Sequence, residues 1–171
     1  MKLILVRHPQ PQVAPGVCYG STDLAIAPGQ LEQTLAALQL PSGLPIYSSP
    51  LRRCAELAAR LGDNIIHDAR LAEMHFGDWE MQPWDAIPRA AIDAWAADMV
   101  HYRPGGGDSV LHMAERITSF YSELDGDAII ICHAGSMRLL AARHAGLAPA
   151  EMALQAAQTA HQIPYGSTLT L

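Results

Sequence analysis

Short apolar runs alternating with amphipathic helical segments predict an α/β chain, a three-layer α/β/α sandwich around a mostly parallel central sheet. Two runs carry most of this reading. Leu3-Ile4-Leu5-Val6 and Ala128-Ile129-Ile130-Ile131-Cys132 are continuously apolar, as strands buried on both faces are. The first leads into Arg7-His8 and the second into His133-Ala134-Gly135. Ligands gather at the carboxyl ends of strands in such sheets, so Arg7, His8 and His133 fall where chemistry is done. No repeat or internal linker interrupts the pattern, and residues 1–171 read as one domain.

The elements follow in order. After the first strand, residues 9–29 are rich in Pro and Gly and form a long loop above the sheet edge. Leu31, Leu35 and Leu38 recur at helical spacing until Pro41-Ser42-Gly43 stops them. Ile46-Tyr47-Ser48 is a second strand. Ser49, as N-cap, and Pro50, at the first helical position, open a helix with an apolar stripe of Leu51, Ala55, Ala58 and Leu61. Asn64 to His67 reads as a third strand, and Phe76-Gly77-Asp78-Trp79 as a turn. Residues 84–100 read as helical with a break near Pro88. Asp108 caps a helix whose stripe runs Val110, Ala114, Ile117, Tyr121 and Leu124. After the strand at 128–132, helices run from Ser136 to His144 and from Ala150 to Ala160, and Ser167 to Leu171 closes the chain as a strand.

Composition narrows the function. Half the residues are hydrophobic and only 16% are charged, which marks a folded chain rather than a disordered one. A net charge of −6 argues against a nucleic-acid partner. The opening apolar run is too short for a signal-peptide core or a membrane span. Three cysteines without C-x-x-C spacing point to a reduced, cytoplasmic protein without structural disulfides.

Four stretches carry chemistry. A neutral imidazole at a strand end can attack phosphorus directly, and an arginine beside it offers a rigid fork of donors to phosphate oxygens. Arg7-His8 supplies both, and His133 adds a second imidazole. In Ser48-Ser49-Pro50-Leu51-Arg52-Arg53-Cys54 two arginines occupy the first turn of a helix, where the macrodipole disfavours them. A bound phosphate gives a reason to keep one there, with Arg53 in the pocket and Arg52 in solvent. A leaving alkoxide needs a proton, and Glu73, Asp78 and Glu80 compete equally for that role. The remaining histidines, His161 among them, show no metal-ligand spacing. No Walker loop or dinucleotide fingerprint is present, so neither metal nor cofactor is expected.

Together, Leu-Val-Arg-His, Ser-Ser-Pro-Leu-x-Arg-Cys, Leu-x-Glu-x-x-Phe-Gly-x-Trp-Glu and Cys-His-Ala-Gly resemble the motifs of the histidine phosphatase (phosphoglycerate mutase-like) superfamily, in its order and across residues 3–138. The resemblance implies a phosphoglycerate mutase-like fold and a phosphohistidine formed on His8. It implies a phosphoryl pocket of Arg7, Arg53 and His133, with Ser21 and Ala134 as further substrate contacts, and Glu73 as the proton donor. Pro9 departs from the glycine usual after the nucleophile and removes an N–H.

Finer features, Cys18-Tyr19-Gly20-Ser21-Thr22-Asp23-Leu24, Trp84 with Asp93-x-Trp95-x-x-Asp98, and Pro104-Gly-Gly-Gly-Asp108-Ser109, are similar to the α-ribazole phosphatases of cobalamin synthesis. That branch implies α-ribazole 5′-phosphate as the small-molecule substrate, with Tyr19, Trp79 or Trp84 facing an aromatic base and Trp79 packing in the core. The alternatives are a broad-specificity sugar-phosphate phosphatase, a phosphoglycerate mutase and a non-catalytic phosphate-binding protein. Oligomeric state has no signature in the sequence.

Overall fold

The computed structural model describes residues 1–160 and 162–171; His161 lies outside them. A five-stranded sheet, ordered β3-β2-β4-β1-β5, is built from β1 (Leu3–Arg7), β2 (Ile46–Ser48), β3 (Ile65–His67), β4 (Ala128–Cys132) and β5 (Thr168–Thr170). All neighbours are parallel except β5, which runs antiparallel along the outer edge of β1. The mostly parallel sheet expected from the sequence is present.

Alternation along the two central strands sorts side chains into two cores. Leu3 and Leu5 of β1 and Ala128, Ile130 and Cys132 of β4 pack against α4 (Val110–Ser122), α5 (Ala134–His144) and α6 (Pro149–Gln158). Ile4, Val6, Ile129 and Ile131 face the opposite way, against α1 (Gln30–Ala37) and α2 (Arg52–Ala58). Burial on both faces is why these strands are apolar throughout rather than alternating. A third cluster joins α3 (Arg89–Ala97), through Ala91, Ile92 and Trp95, to Cys18, Trp79 and Ile87 above the sheet edge.

Several boundaries differ from expectation. Ser49 does not cap α2, which begins at Arg52 with Leu51 at the N-cap. The Ser49 hydroxyl is drawn instead to His133, a tertiary partner no local pattern displays. Ser109 rather than Asp108 caps α4, accepting from the His112 amide, while Asp108 accepts from the amide of His75. Residues 84–100 split into a single turn at Trp84–Ala86 and α3, because Pro88 cannot donate within a helix and serves as its N-cap. Helix α5 starts two residues earlier than expected, directly after His133.

Candidate active site

Register brings the two histidines together. Arg7 of β1 pairs with Cys132 of β4, and the His8 amide extends the ladder by donating to the Cys132 carbonyl at 3.1 Å. The next residue on each strand is thus a histidine, and the rings lie with centroids 5.0 Å apart. Both are buried.

A hydrogen bond assigns the tautomer of His8. His8 Nδ1–H donates to the Pro9 carbonyl at 2.7 Å, leaving the Nε2 lone pair free. Burial foremost, then the positive charge of Arg53, lowers the His8 pKa to about 3, so the ring is neutral near pH 7. For His133, Nε2 lies 2.9 Å from the Ser49 hydroxyl, whose oxygen already accepts from the Leu51 amide. A hydroxyl has one donor and two acceptor sites, so this contact serves either His133 tautomer. Burial, with the His8 and arginine charges, holds the His133 pKa well below its ordinary value.

The two predicted arginines reach this point from different elements. Arg53, in the first turn of α2, is fully buried and donates to the carbonyls of Thr22 (2.7 Å) and Gly20. Arg52 beside it is exposed and pairs with Glu56 one turn on. Arg7 donates through Nη1 to the Ile163 carbonyl and lies under the Tyr165 ring, 3.9 Å from its centroid. Five buried side-chain nitrogens, Arg7 Nε, Arg53 Nε, His133 Nδ1, Trp95 Nε1 and Arg143 Nε, have no hydrogen-bond partner among the described residues. The first three belong to the residues around His8.

Among the three competing carboxylates, Glu73 lines the cavity with Arg7, His8, Arg53 and Ala134. Its oxygens accept from the amides of Met74 and Gly135, each at 3.0 Å, the latter in the first turn of α5. Asp78 is exposed. Glu80 is committed to a loop: it accepts from the amides of Gly20, Ser21, Thr22 and Phe76 and from the Ser21 and Thr22 hydroxyls. Although burial opposes it, those donors set the Glu80 pKa below the ordinary carboxylate range. Ser21, expected to touch substrate, is therefore turned to Glu80 and is not a described cavity-lining residue.

The cavity has a volume of about 800 Å³. Beyond the cationic end its walls are mainly apolar, with Phe76, Trp84, Trp95, Met99 and Met113 among them and Arg138 and Thr159 as polar members. Trp84 and Trp95 stack at 6.2 Å with 8° between planes, and Phe76 meets both edge-on. Trp79 lies in the core, as expected. Sequence reasoning left Tyr165 without a role and used Trp95 only as part of a branch motif. Neither residue carries a local pattern that separates pocket wall from core.

Comparison with known proteins accords with this geometry. The chain is 30% identical over 169 residues to a glucosyl-3-phosphoglycerate phosphatase of Mycolicibacterium vanbaalenii, covering 85% of this chain and 75% of the relative. It is 28% identical over 170 residues to an adenosylcobalamin/α-ribazole phosphatase of Escherichia coli, covering 88% and 82%. The solved structure of a mycobacterial glucosyl-3-phosphoglycerate phosphatase superposes with a TM-score of 0.81 at 26% identity, over 99% of this chain and 88% of that one. Residues 3–163 match the model of the histidine phosphatase superfamily (branch 1), and the chain belongs to that family.

Proposed function

We propose that the chain is a phosphomonoesterase that works through a phosphohistidine on His8 and acts on α-ribazole 5′-phosphate. The observation that carries the chemistry is that three of the buried, unpartnered nitrogens, on Arg7, Arg53 and His133, gather around His8. Buried polar groups are nearly always satisfied, and an anion with three terminal oxygens would satisfy these. In the first step His8 Nε2 attacks phosphorus, the P–N bond forming as the P–O bond to the leaving group breaks. Glu73 gives its proton to the departing oxygen. Water then attacks the phosphohistidine, loses a proton to Glu73, and returns His8 to its neutral form. Arg7 and Arg53 offset the charge on the equatorial oxygens throughout.

The aromatic wall supports the choice of substrate. A flat heterocycle buries well against Phe76, Trp84 and Trp95, and the unpartnered Trp95 Nε1 offers a donor to a ring nitrogen. The three cysteines, buried and unpaired, support a cytoplasmic setting. A sugar-phosphate phosphatase is the second reading, favoured by the similarity to glucosyl-3-phosphoglycerate phosphatases. Phosphate release from α-ribazole 5′-phosphate, glucosyl-3-phosphoglycerate and a simple aryl phosphate, with His8→Ala as control, separates the two. Preference for the ribazole ester supports the first reading, and preference for the glucosyl ester replaces it with the second. Turnover surviving in His8→Ala sinks the phosphohistidine.

A further inference from the structure

Each arginine of the pocket is held by main-chain carbonyls of a different loop, and each loop also brings a tyrosine to its guanidinium, in stacking contact at Arg7 and more distantly at Arg53. Residues 20–22 give Arg53 two carbonyls, and Tyr19 in the same loop places its ring 5.8 Å from the guanidinium carbon. Before β5, Ile163 gives Arg7 a carbonyl, and Tyr165 stacks on its guanidinium at 3.9 Å. The two loops meet where the Tyr19 and Tyr165 hydroxyls lie 2.6 Å apart. Both tyrosines line the cavity, and the Tyr165 ring stands 5.6 Å from that of His8.

The second loop is fixed to the nucleophile through its main chain. Gly166 N–H donates to the His8 carbonyl, and Arg7 N–H donates to the Ser167 carbonyl. Gly166 has φ +69°, and a β-carbon there would meet the Thr34 hydroxyl at 2.8 Å, so glycine is required for this path. Burial and the bond to Tyr165 raise the Tyr19 pKa, which keeps the Tyr19 hydroxyl protonated at working pH.

We infer that the Tyr19–Tyr165 hydroxyl bond is a latch that sets the spacing of Arg7 and Arg53, making both tyrosines positioning residues for the phosphoryl group in flight. The inference rests on the phosphohistidine reading. A guanidinium held only at its edges can slide in its plane. A ring on its face and a tie between the two rings limit that movement. The equatorial oxygens spread apart in the transition state, where a small misplacement of donors is felt most. The latch therefore acts on kcat more than on KM.

The test is a double-mutant cycle on Tyr19→Phe and Tyr165→Phe, read with an aryl phosphate ester and with orthovanadate as a mimic of the five-coordinate state. Each single variant should lose about tenfold in kcat and in vanadate affinity, with KM changed less than about twofold. The double variant should be no worse than either single, because one bond is shared. Tyr165→Leu, which also removes the ring from Arg7, should lose more than Tyr165→Phe. Additive losses, or unchanged vanadate binding in both Phe variants, overturn the latch while leaving the phosphatase reading in place. A wild-type chain that neither turns over esters nor binds vanadate overturns both.

Discussion

The ring Nδ1–H of His8 donates to the carbonyl of Pro9, the residue that follows it. Proline in place of the family's usual glycine removes an N–H, but the contact made with His8 uses the carbonyl, which proline keeps. The tautomer with a free Nε2 is thereby fixed from within two consecutive residues.

A first prediction concerns pH. With a folded pKa of about 3 against an ordinary 6.5, His8 binds a proton more readily when unfolded. The stability this confers is complete above about pH 6.5 and is lost as pH falls toward the folded value, at up to ~1.4 kcal/mol per pH unit. Nitrogen NMR should show His8 neutral and protonated at Nδ1 down to about pH 5. Denaturant titrations should give a shallower acid loss for His8→Ala. A His8 ring that titrates near its ordinary value sinks the argument.

A second prediction tests how Glu73 is placed. A β-carbon on Gly135 would come within 2.2 Å of Glu73 Oε1, and the Gly135 amide is one of two donors holding that carboxylate. Gly135→Ala should push the carboxylate away and lower kcat by about 10²-fold on an alkyl phosphate, the scale expected for a displacement of about 1 Å. Thermal midpoint should move little, since Ala suits a first helical turn. Unimpaired alkyl phosphate turnover would show that Glu73 does not need this position.

Glu80 supports Arg53 at one remove. Its carboxylate gathers the amides of residues 20–22, and that loop presents the Gly20 and Thr22 carbonyls to Arg53. Glu80→Gln should cost roughly 1–3 kcal/mol of stability by leaving amides short of an acceptor, and should weaken phosphate binding as well. Because its folded pKa is depressed, the contribution is full above the ordinary carboxylate pKa and fades as pH falls through the folded value. The variant and the wild type should therefore converge in stability at low pH. A gap that holds constant with pH would contradict this account.

What the sequence made legible divides along physical lines. Leu3 to Val6 and Ala128 to Cys132 announce buried strands because burial on both faces leaves no alternation, and the histidines after them follow from chain order alone. Arg53 and Arg52 share a helix's first turn, where the macrodipole disfavours both, and the family motif, which aligns with the second, is what separated them. Glu73 could not be separated from Asp78 and Glu80 by residue chemistry, since acid, surface charge and loop staple are all carboxylates. What distinguishes them is the Gly135 amide, the solvent and the 20–22 loop, all set by tertiary structure. Ser49 was misread because short hydroxyl side chains favour local caps, and here a distant partner took it.

The last prediction concerns Arg116 on α4, which the sequence leaves unremarked. Its guanidinium donates to the carbonyls of Arg70 and Ala72 at 2.6 Å and of Glu73 at 3.1 Å, and lies 3.6 Å from Asp108. Asp108 in turn accepts from the His75 amide, so one ion pair straps both ends of the segment that carries the acid. Burial lowers the Arg116 pKa, yet the group stays charged near pH 7 given its high ordinary value. Arg116→Met keeps the apolar stem, strands the Arg70 and Glu73 carbonyls and leaves Ala72 only the Ser136 hydroxyl, which should loosen residues 70–75. Protonation of the leaving group should suffer while attack by His8 does not. An alkyl phosphate, whose leaving oxygen needs a proton, should then lose about 10–10²-fold in kcat, and an activated aryl phosphate only a few-fold. Glu73→Gln provides the reference: Arg116→Met should show the same leaving-group dependence to a smaller degree. Equal losses on both esters would make Arg116 a stabilising residue with no bearing on proton transfer.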